Sequence, residues 1–452
     1  MLQALLAPFA RQLSTEDALV RSLTRGLAAG AGVVLVRGIG AVLIYASQII
    51  LARSLAPAEA GAYWLALPAA TLASFAMSGG FMMGAVRFVP DFIEKHKPEL
   101  ARGYFRQGIL ISCLAGLAVV ALAGLAYIAG ALPVAAHFYP LVLLTAAVAT
   151  PLAIHNFMID FQRGLHRPVQ AFVLQSLVNP VLVAAAMLLL AWLGSANAVT
   201  AMAATLAIAC LLALMQILLI RRSDGAWLFS KAPQYATRQW IRAGLPLAAT
   251  ALASNLGNWI DLFIVGLLLP IEQAAIYSVV GRVFYVLQFF GSSVTSGVAA
   301  HYSRILSSSG APGLRSYVPR ITAIVVLVNI VMAVVAITFR HEILRAFGPV
   351  FVTGAQALAT LALAHLLRCL LGPWDTLLYL AGHERLVTAI TLTSTAALAL
   401  LCFATVPVYG IMGAAASSAC VLVLTAGVGY GMVRVRLGVD PGLSGLIVRR
   451  PS

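Results

Sequence analysis

The chain has 452 residues, of which 62% are hydrophobic and only 10% are charged, whereas soluble domains carry about 25% charged residues. This composition excludes an ordinary soluble enzyme. Lysine and arginine number 29 against 14 aspartates and glutamates, for a net charge of +15, which in a soluble chain would indicate nucleic acid as a partner. In so apolar a chain the positions of these charges matter more, and we expect no nucleic-acid partner.

Residues 1–27 precede the first long apolar run. The stretch Met1–Ala10 has no basic residues before it and no small-residue cleavage site after it, which argues against a cleaved signal peptide. Ser14–Asp17 is a helix-start signal with arginines on its flanks. We therefore predict an amphipathic helix in the membrane interface over 1–27.

Apolar runs long enough to cross the roughly 30 Å hydrocarbon layer as helices recur from end to end. Charge clusters and Gly/Pro turns divide the chain into twelve candidate spans: 28–52, 59–84, 105–129, 138–162, 169–194, 198–220, 243–268, 272–300, 318–339, 355–381, 386–407 and 410–434. The sequence predicts an all-α polytopic membrane protein of about 12 transmembrane helices. Trp64, near a span end, fits an interfacial aromatic belt.

Basic residues are divided unequally between the two sets of connections. One set holds 23 of them, and the opposite set holds 3, namely Arg53, Arg340 and Arg345. The positive-inside rule places the richer set in the cytoplasm, so both termini, including a tail over 438–452, are predicted to be cytoplasmic. The same residues would attract anionic membrane lipids.

The chain repeats itself at half length. Leu55–Tyr63 after the first span is echoed by Leu269–Tyr277 after the seventh, and Arg163–Ala171 after the fourth is echoed by Ala381–Ala389 after the tenth. Because six spans return the chain to the same side, we predict two six-helix lobes related by a pseudo-two-fold axis along the membrane normal. Such parallel repeats are typical of transporters, with the substrate site between the lobes. The predicted lobes are 28–225 and 226–437.

Polar and ionisable residues inside the spans are functional candidates, because a charge in hydrocarbon costs several kcal/mol unless it faces protein or water. Arg37 and Gln48 lie three turns apart on the first span, and Asn258 and Asp261 continue a polar face of the seventh. Arg282 lies on a polar face of the eighth span, and we expect these faces to line one cavity. Arg37 and Arg282 are predicted to attract an anion, with interhelix hydrogen bonding as the alternative. Asp261 either pairs with an arginine or binds a coupling cation.

Two further groups of charges have a plainer interpretation. His365, Arg368 and Asp375 share a face of the tenth span, where we expect a packing network. Asp160 and Arg163 share the end of the fourth span, where we expect an ordinary helix-end role.

Several motifs resemble those of a known family. Leu51–Tyr63, followed by an apolar helix and then Ser78–Pro90, resembles the start of polysaccharide (Wzx-type) flippases. Three further motifs agree with the C-terminal part of that family, namely Phe347–Pro349, the turn Leu380–His383 and the stretch Val406–Ala415. The similarity covers nearly the whole chain, and the order and spacing of the motifs make it specific.

The resemblance implies membership of the multidrug/oligosaccharidyl-lipid/polysaccharide exporter superfamily, whose members open a V-shaped central cavity between two six-helix lobes. It implies a transporter, not an enzyme, that flips undecaprenyl-diphosphate-linked oligosaccharide across the bacterial inner membrane by alternating access, for O-antigen, capsule or exopolysaccharide assembly. The expected partners are that lipid-linked substrate, membrane lipids and polysaccharide assembly proteins, and the expected state is a monomer. Arg87 and His301, at equivalent repeat positions, either meet the diphosphate or lie at the membrane interface.

Two other functions stay open. A multidrug cation antiporter of the same superfamily would use acidic residues in its cavity, whereas the deep charges here are mainly the arginines Arg37, Arg282 and Arg368. A membrane polysaccharide polymerase or ligase would need catalytic groups in a substantial outer loop, and the outer connections are short. The chain has no P-loop, HExxH, CxxC or EF-hand pattern, so we expect transport, with no cofactor and no metal.

Overall fold

The computed structural model describes residues 35–130, 138–229 and 232–447. Those residues contain helices and no strand, in agreement with the all-α prediction. The predicted interfacial segment 1–27 and the end of the predicted tail lie outside the described residues. The helices are α1 Leu35–Ser54, α2 Pro57–Met77, α3 Phe81–Glu94, α4 Pro98–Ile128, α5 Tyr139–Gly164, α6 Pro168–Trp192, α7 Ala198–Leu228, α8 Thr237–Gly257, α9 Ile260–Leu268, α10 Ile271–Thr338, α11 Arg340–Phe347, α12 Ala355–Leu370, α13 Trp374–Leu380, α14 Glu384–Leu437 and α15 Ser444–Ile447.

The helices have the length and surface of membrane spans. Within the described residues, 9 helices are long and apolar enough to cross a membrane, or 10 if the bent pair α8 and α9 forms one span. On α4, Leu110, Leu114, Leu117 and Leu125 are each more than half exposed, an arrangement that suits a surface facing lipid. The chain is therefore a multi-pass membrane protein.

Helix α10 covers 68 residues, which would extend about 100 Å if straight. The rings of Tyr302 and Tyr317 nevertheless lie 5.8 Å apart, and Leu287 packs in one cluster with Ala336. The segment therefore reverses between residues 302 and 317 and forms two antiparallel arms. The sequence predicts a connection there between the eighth and ninth spans, and the structure forms this connection from helical backbone.

Helix α14 is also two arms. Its 54 residues are interrupted at Gly410, where φ is 59° and ψ is −140°, a conformation open to glycine because it lacks a Cβ. The hydroxyl oxygens of Ser394 and Thr425 lie 2.6 Å apart across the arms. The arms match the spans predicted at 386–407 and 410–434, while the total of twelve crossings remains a prediction.

Three predicted spans are interrupted in the structure. The span 59–84 ends at Met77, and a turn with φ of 56° at Gly79 and 86° at Gly80 separates α2 from α3. The seventh span bends by 54° between α8 and α9. The tenth breaks between α12 and α13, where Gly372 has a φ of 79° and the next residue is proline. Left-handed glycines and proline end helices locally, which hydropathy does not register.

Helix packing repeats between the halves of the chain. Helix α5 packs against α2, α3, α4 and α7, while α12 packs against α10 and α14. Tyr63 shares a 2.9 Å hydrogen bond with Thr205, the eighth residue of α7. Its repeat equivalent Tyr277 lies 3.3 Å from Ser418, the eighth residue after the break in α14. These matched contacts follow the sequence repeat, and the superposition of two complete lobes remains a prediction.

The bundle has two ends, which we call the basic end and the far end and define by the turns that lie there. The basic end carries the turns Leu165–Arg167 and Ala381–His383, and the far end carries Leu193–Asn197 and Leu269–Pro270. The positive-inside rule predicts that the basic end faces the cytoplasm.

Contacts between the two halves differ at the two ends. At the far end, the Arg53 Nε donates to the Ala346 carbonyl at 2.7 Å, and the Tyr45 and Phe347 rings meet edge to face at 5.3 Å. At the basic end, α8 packs against α3 through Trp240, which belongs to an aromatic cluster of the first half. Helix α8 also contacts α14, so it bridges the halves.

Candidate functional site

Three side chains from three helices meet about two to three turns below the far end of the bundle. The Arg282 guanidinium of α10 lies over the Trp64 ring of α2, with Cζ 4.9 Å from the ring centre. The Trp64 Nε1 in turn donates to the Gln48 Oε1 of α1 at 3.1 Å. The structure thus brings together two residues predicted to line the cavity, Gln48 and Arg282, through Trp64, which was predicted to lie in the interfacial belt. We call these three residues the deep cluster.

Arg282 has unused hydrogen-bonding capacity. Its Nε is buried and has no hydrogen-bond partner, and no carboxylate lies within 4.0 Å of its guanidinium, among the residues described. A guanidinium has five N–H donors and no acceptor. The deep cluster therefore presents a positive charge that no carboxylate of the described residues neutralises.

Trp64 departs from the interfacial belt predicted for it. Its exposed fraction is 0%, and its ring meets that of Phe351 at 6.1 Å. Trp64 is the eighth residue of α2, deep enough for α10 and the 3-10 turn Pro349–Gly354 to cover it. A tryptophan of the interfacial belt and a buried tryptophan can lie equally far from the end of a span, so the position of Trp64 in the sequence did not distinguish the two.

Arg37 lies in a second cluster, closer to the basic end. Its Cζ is 5.3 Å from the centre of the Phe172 ring on α6 and 6.0 Å from that of Phe289 on α10. Arg37 is exposed and, within the described part of the chain, has no carboxylate within 4.0 Å. Arg37 and Gln48 are separated by eleven residues, which places the two clusters about 16 Å apart along α1.

Asp261 is bound by hydroxyl groups. Its Oδ2 accepts hydrogen bonds from the Tyr277 hydroxyl at 2.7 Å and the Ser418 hydroxyl at 2.8 Å, and its Oδ1 accepts from the Leu262 amide at 2.8 Å. No arginine lies within 4.0 Å of its carboxylate in the described residues. These bonds tie α9 to α10 and α14.

The polar face predicted on the seventh span is not continuous. Helix α8 ends at Gly257 and the chain bends by 54° before α9 begins. Asn258 is exposed at this turn, while Asp261 lies beyond the bend. The predicted spacing of these two residues assumes a straight helix, which the bend rules out.

The remaining candidates lie toward the basic end. Arg87 is exposed on α3, and its Cζ lies 5.7 Å from the ring centre of its neighbour Phe88. The side chain of His301 lies outside the described part of the structure. The equivalence of Arg87 and His301 therefore remains a prediction.

The packing network predicted on the tenth span is present in part, because the break at Gly372 places Asp375 on α13 and not on a shared face with His365 and Arg368. The His365 Nε2 lies 3.0 Å from the Asn329 Oδ1, and an Arg368 nitrogen lies 3.8 Å from an Asp375 oxygen. These groups lie within the second half of the chain, and the charges of Arg368 and Asp375 offset one another. They are therefore poor candidates for attracting a substrate ion.

The described residues also line an open cavity of 620 Å³ at the basic end. Its lining includes Arg238, Gln239, Arg242 and Ala243 of the first two turns of α8. Arg238 and Arg242 are exposed and lie one turn apart on one face. The mouth of this cavity is therefore positively charged.

The chain matches the model of one protein family, described as polysaccharide biosynthesis protein, over residues 27–302. No sequence among curated proteins matches it. The fold resembles that of a multidrug resistance MATE family transporter of the MOP superfamily in its inward-facing conformation, with a TM-score of 0.73, 15% identity, and coverage of 90% of this chain and 96% of the other.

Two further solved structures share the fold. The outward-facing conformation of a MATE family transporter of the same superfamily gives a TM-score of 0.64 at 16% identity, with 91% of this chain and 95% of the other covered. A MOP superfamily transporter from Pyrococcus furiosus, described as having reversed polarity in its binding pocket and a different function, gives 0.55 at 15% identity, with 90% and 98% covered. At these identities the likeness concerns the fold alone.

Proposed function

The chain belongs to the polysaccharide biosynthesis protein family, and from that membership we propose that it flips an undecaprenyl-diphosphate-linked oligosaccharide across the inner membrane of a bacterium. The product would serve assembly of a surface polysaccharide such as O-antigen, capsule or exopolysaccharide. Transport would proceed by alternating access of a cavity between the two halves.

One observation carries the proposal: neither Arg37 nor Arg282 has a carboxylate within 4.0 Å among the described residues. A lipid diphosphate must bring its negative charge out of the aqueous surface, and fixed positive charge is worth more where water is scarce. Arginine also grips phosphate in two-point geometry that lysine does not copy. Arg282 in the deep cluster and Arg37 nearer the basic end supply such charge at two depths.

The far-end contacts include polar and aromatic pairs that can form and break during transport. Arg53 with the Ala346 carbonyl, and the edge-to-face pair Tyr45 and Phe347, join the two halves there beside the apolar packing of α2 on α10. Aromatic pairs and single hydrogen bonds contribute about 0.5–1.5 kcal/mol each, and parting of the halves would also expose the apolar surface between them. Binding of an anion beside Arg282 would neutralise its charge and lower the cost of moving the halves.

We place both termini in the cytoplasm, on the basis of the basic residues at that end. The lipid-linked oligosaccharide and membrane lipids are then its immediate partners, with polysaccharide assembly proteins as further ones, and a monomer contains the whole cavity. The mechanism needs no cofactor and no covalent step.

A multidrug cation antiporter is the second candidate, favoured by the fold shared with multidrug MATE transporters. Such a transporter needs an acid free to meet a cation. Asp261, the acid of the seventh span, already accepts hydrogen bonds from two hydroxyls and an amide. This arrangement favours the anionic lipid over a cationic drug.

The test uses the purified full chain in liposomes that contain a fluorescently labelled undecaprenyl diphosphate disaccharide. Flipping exposes the label to dithionite added outside, so the protected fraction should fall faster with the protein than in protein-free liposomes. Tetraphenylphosphonium uptake driven by a proton or sodium gradient is measured in parallel. Uptake of the cation together with an immobile lipid would refute the proposal and establish the antiporter.

A further inference from the structure

Two arginines from different helices share one aromatic ring near the basic end. The Arg37 Cζ of α1 lies 5.3 Å from the centre of the Phe172 ring, and the Arg163 Cζ of α5 lies 5.7 Å from it. Both distances fall in the range of a cation over a ring. The two guanidinium carbons are therefore at most about 11 Å apart, and we call these three residues the outer cluster.

A close helix contact holds the outer cluster in place. A Cβ on Gly40 would lie 2.7 Å from both the Cβ and the carbonyl oxygen of Ser176, so glycine allows α1 to approach α6 here. Ser176 lies in a π-helical turn, Leu174–Val178, a local widening that is frequent at functional sites. Arg37 lies one turn before Gly40 and Phe172 one turn before Ser176, so the same contact brings Arg37 over the ring.

The outer cluster carries excess positive charge. The Arg163 Nη1 pairs with the Asp160 Oδ1 at 2.6 Å, with the Asp160 side chain 8% exposed and that of Arg163 42% exposed. This pair fixes one corner of the Arg163 guanidinium and leaves its other N–H groups for a ligand. Arg37 has no carboxylate within 4.0 Å among the described residues, so two cations face one acid.

We infer that the outer cluster binds the diphosphate group of the substrate, with Arg37 and Arg163 each contacting one phosphoryl group and Asp160 acting as a positioning residue. A diphosphate gripped at both ends holds two guanidinium carbons roughly 10 Å apart, given N–H···O contacts of about 2.8 Å. That span lies within the upper limit of about 11 Å that the shared ring sets. The inference rests on the proposed function and extends it to Arg163 and Phe172.

The position of the outer cluster gives it a place in the transport path. It lies about 16 Å from the deep cluster along α1, on the side of the basic end. Arg37 also faces Phe289 on α10, so a ligand held by Arg37 would lie at the boundary between the two halves of the chain. The diphosphate would bind first between Arg37 and Arg163 and then move to Arg282.

The test measures binding of two probes, inorganic diphosphate and farnesyl diphosphate, to the purified full chain by calorimetry. The variant is the double substitution Asp160→Asn with Arg163→Gln, which removes one phosphate contact without leaving a buried carboxylate unpaired. We expect the affinity for inorganic diphosphate to fall at least tenfold, about the value of a charge-assisted contact. The control is Arg385→Gln, an exposed arginine at the same end, which should bind like the unmodified chain.

A second pair of variants tests the geometry without changing any charge. Gly40→Ala should weaken diphosphate binding because α1 must move away from α6, whereas Gly38→Ala should not, since a Cβ there meets none of the described residues within 4 Å. The inference is overturned if the double variant binds both probes with the affinity of the unmodified chain, even if Arg282→Met weakens the binding of farnesyl diphosphate. It is also overturned if the unmodified chain binds neither probe. Binding of inorganic diphosphate without farnesyl diphosphate would support the outer cluster and count against the lipid substrate.

Discussion

Replacing Arg282 by methionine separates a functional arginine from a structural one, because the two roles predict opposite changes in stability. Methionine is flexible, fills a similar space and makes favourable contacts with aromatic rings, so it can keep the packing on Trp64. The substitution removes a cation with Cζ 4.9 Å from the Trp64 ring centre and a buried Nε that has no hydrogen-bond partner among the described residues.

The expected magnitudes follow from these two features. Loss of the cation–ring contact costs about 0.5–2 kcal/mol, and removal of an unsatisfied buried donor returns about 1–3 kcal/mol. We therefore expect Arg282→Met to melt at the same temperature as the unmodified protein or slightly higher. Loss of charge-assisted contacts to the diphosphate, about 1.5–3 kcal/mol, should weaken farnesyl diphosphate binding roughly 10- to 100-fold.

The assay combines thermal unfolding in detergent, calorimetric binding of farnesyl diphosphate and flipping per folded molecule in liposomes. The affinity for farnesyl diphosphate and the flipping rate of Arg282→Lys should lie between those of the unmodified protein and of Arg282→Met, because lysine keeps the charge and loses the two-point contact with phosphate. Arg345→Met, at an exposed arginine of the far end, is the matched control for charge. A lower melting temperature with unchanged affinity would show that Arg282 only holds helices together.

Three further predictions test the topology, the interface between halves and the role of the deep acid. Reporter fusions at Ser195 and Tyr235 should report opposite sides of the membrane, and the same side for both would exclude the topology. Gly61→Ala should lower the melting temperature, by the roughly 1–3 kcal/mol of overpacking, because a Cβ there would collide with the backbone of α10. The control Gly281→Ala should not, since a Cβ there meets none of the described residues within 4 Å, and equal melting temperatures would contradict the Gly61 contact. Asp261→Ala should also lower the melting temperature, since it orphans the hydroxyls that donate to the carboxylate, and a loss of farnesyl diphosphate affinity in folded protein would instead make this acid part of the substrate site.

The deep cluster and the outer cluster show which features of the site the sequence pattern predicts and which it does not. Spacing on a helix placed Arg37 and Gln48 on one stripe, and hydropathy marked Arg282 as a deep charge. Neither indicated that Arg282 would lie over Trp64, because the contact joins α2 and α10, more than two hundred residues apart. Arg163 had the ordinary signature of a helix end, and only the approach of α1 to α6 showed that it shares the Phe172 ring with Arg37.

By itself, the sequence determined the class of protein, the family and the order of the helices, because these depend on apolar length, on charge asymmetry and on short motifs that are local in the chain. Only the tertiary structure decided where helices break, at Gly80, Gly372 and Gly410, and which charges stay unneutralised. Glycine and proline allow a helix to break, and the packing of the fold decides at which of them it does. A charge is neutralised by whatever neighbour the fold supplies. Asp261 met hydroxyls from α10 and α14 instead of an arginine, and no property of its own helix could have determined that partner.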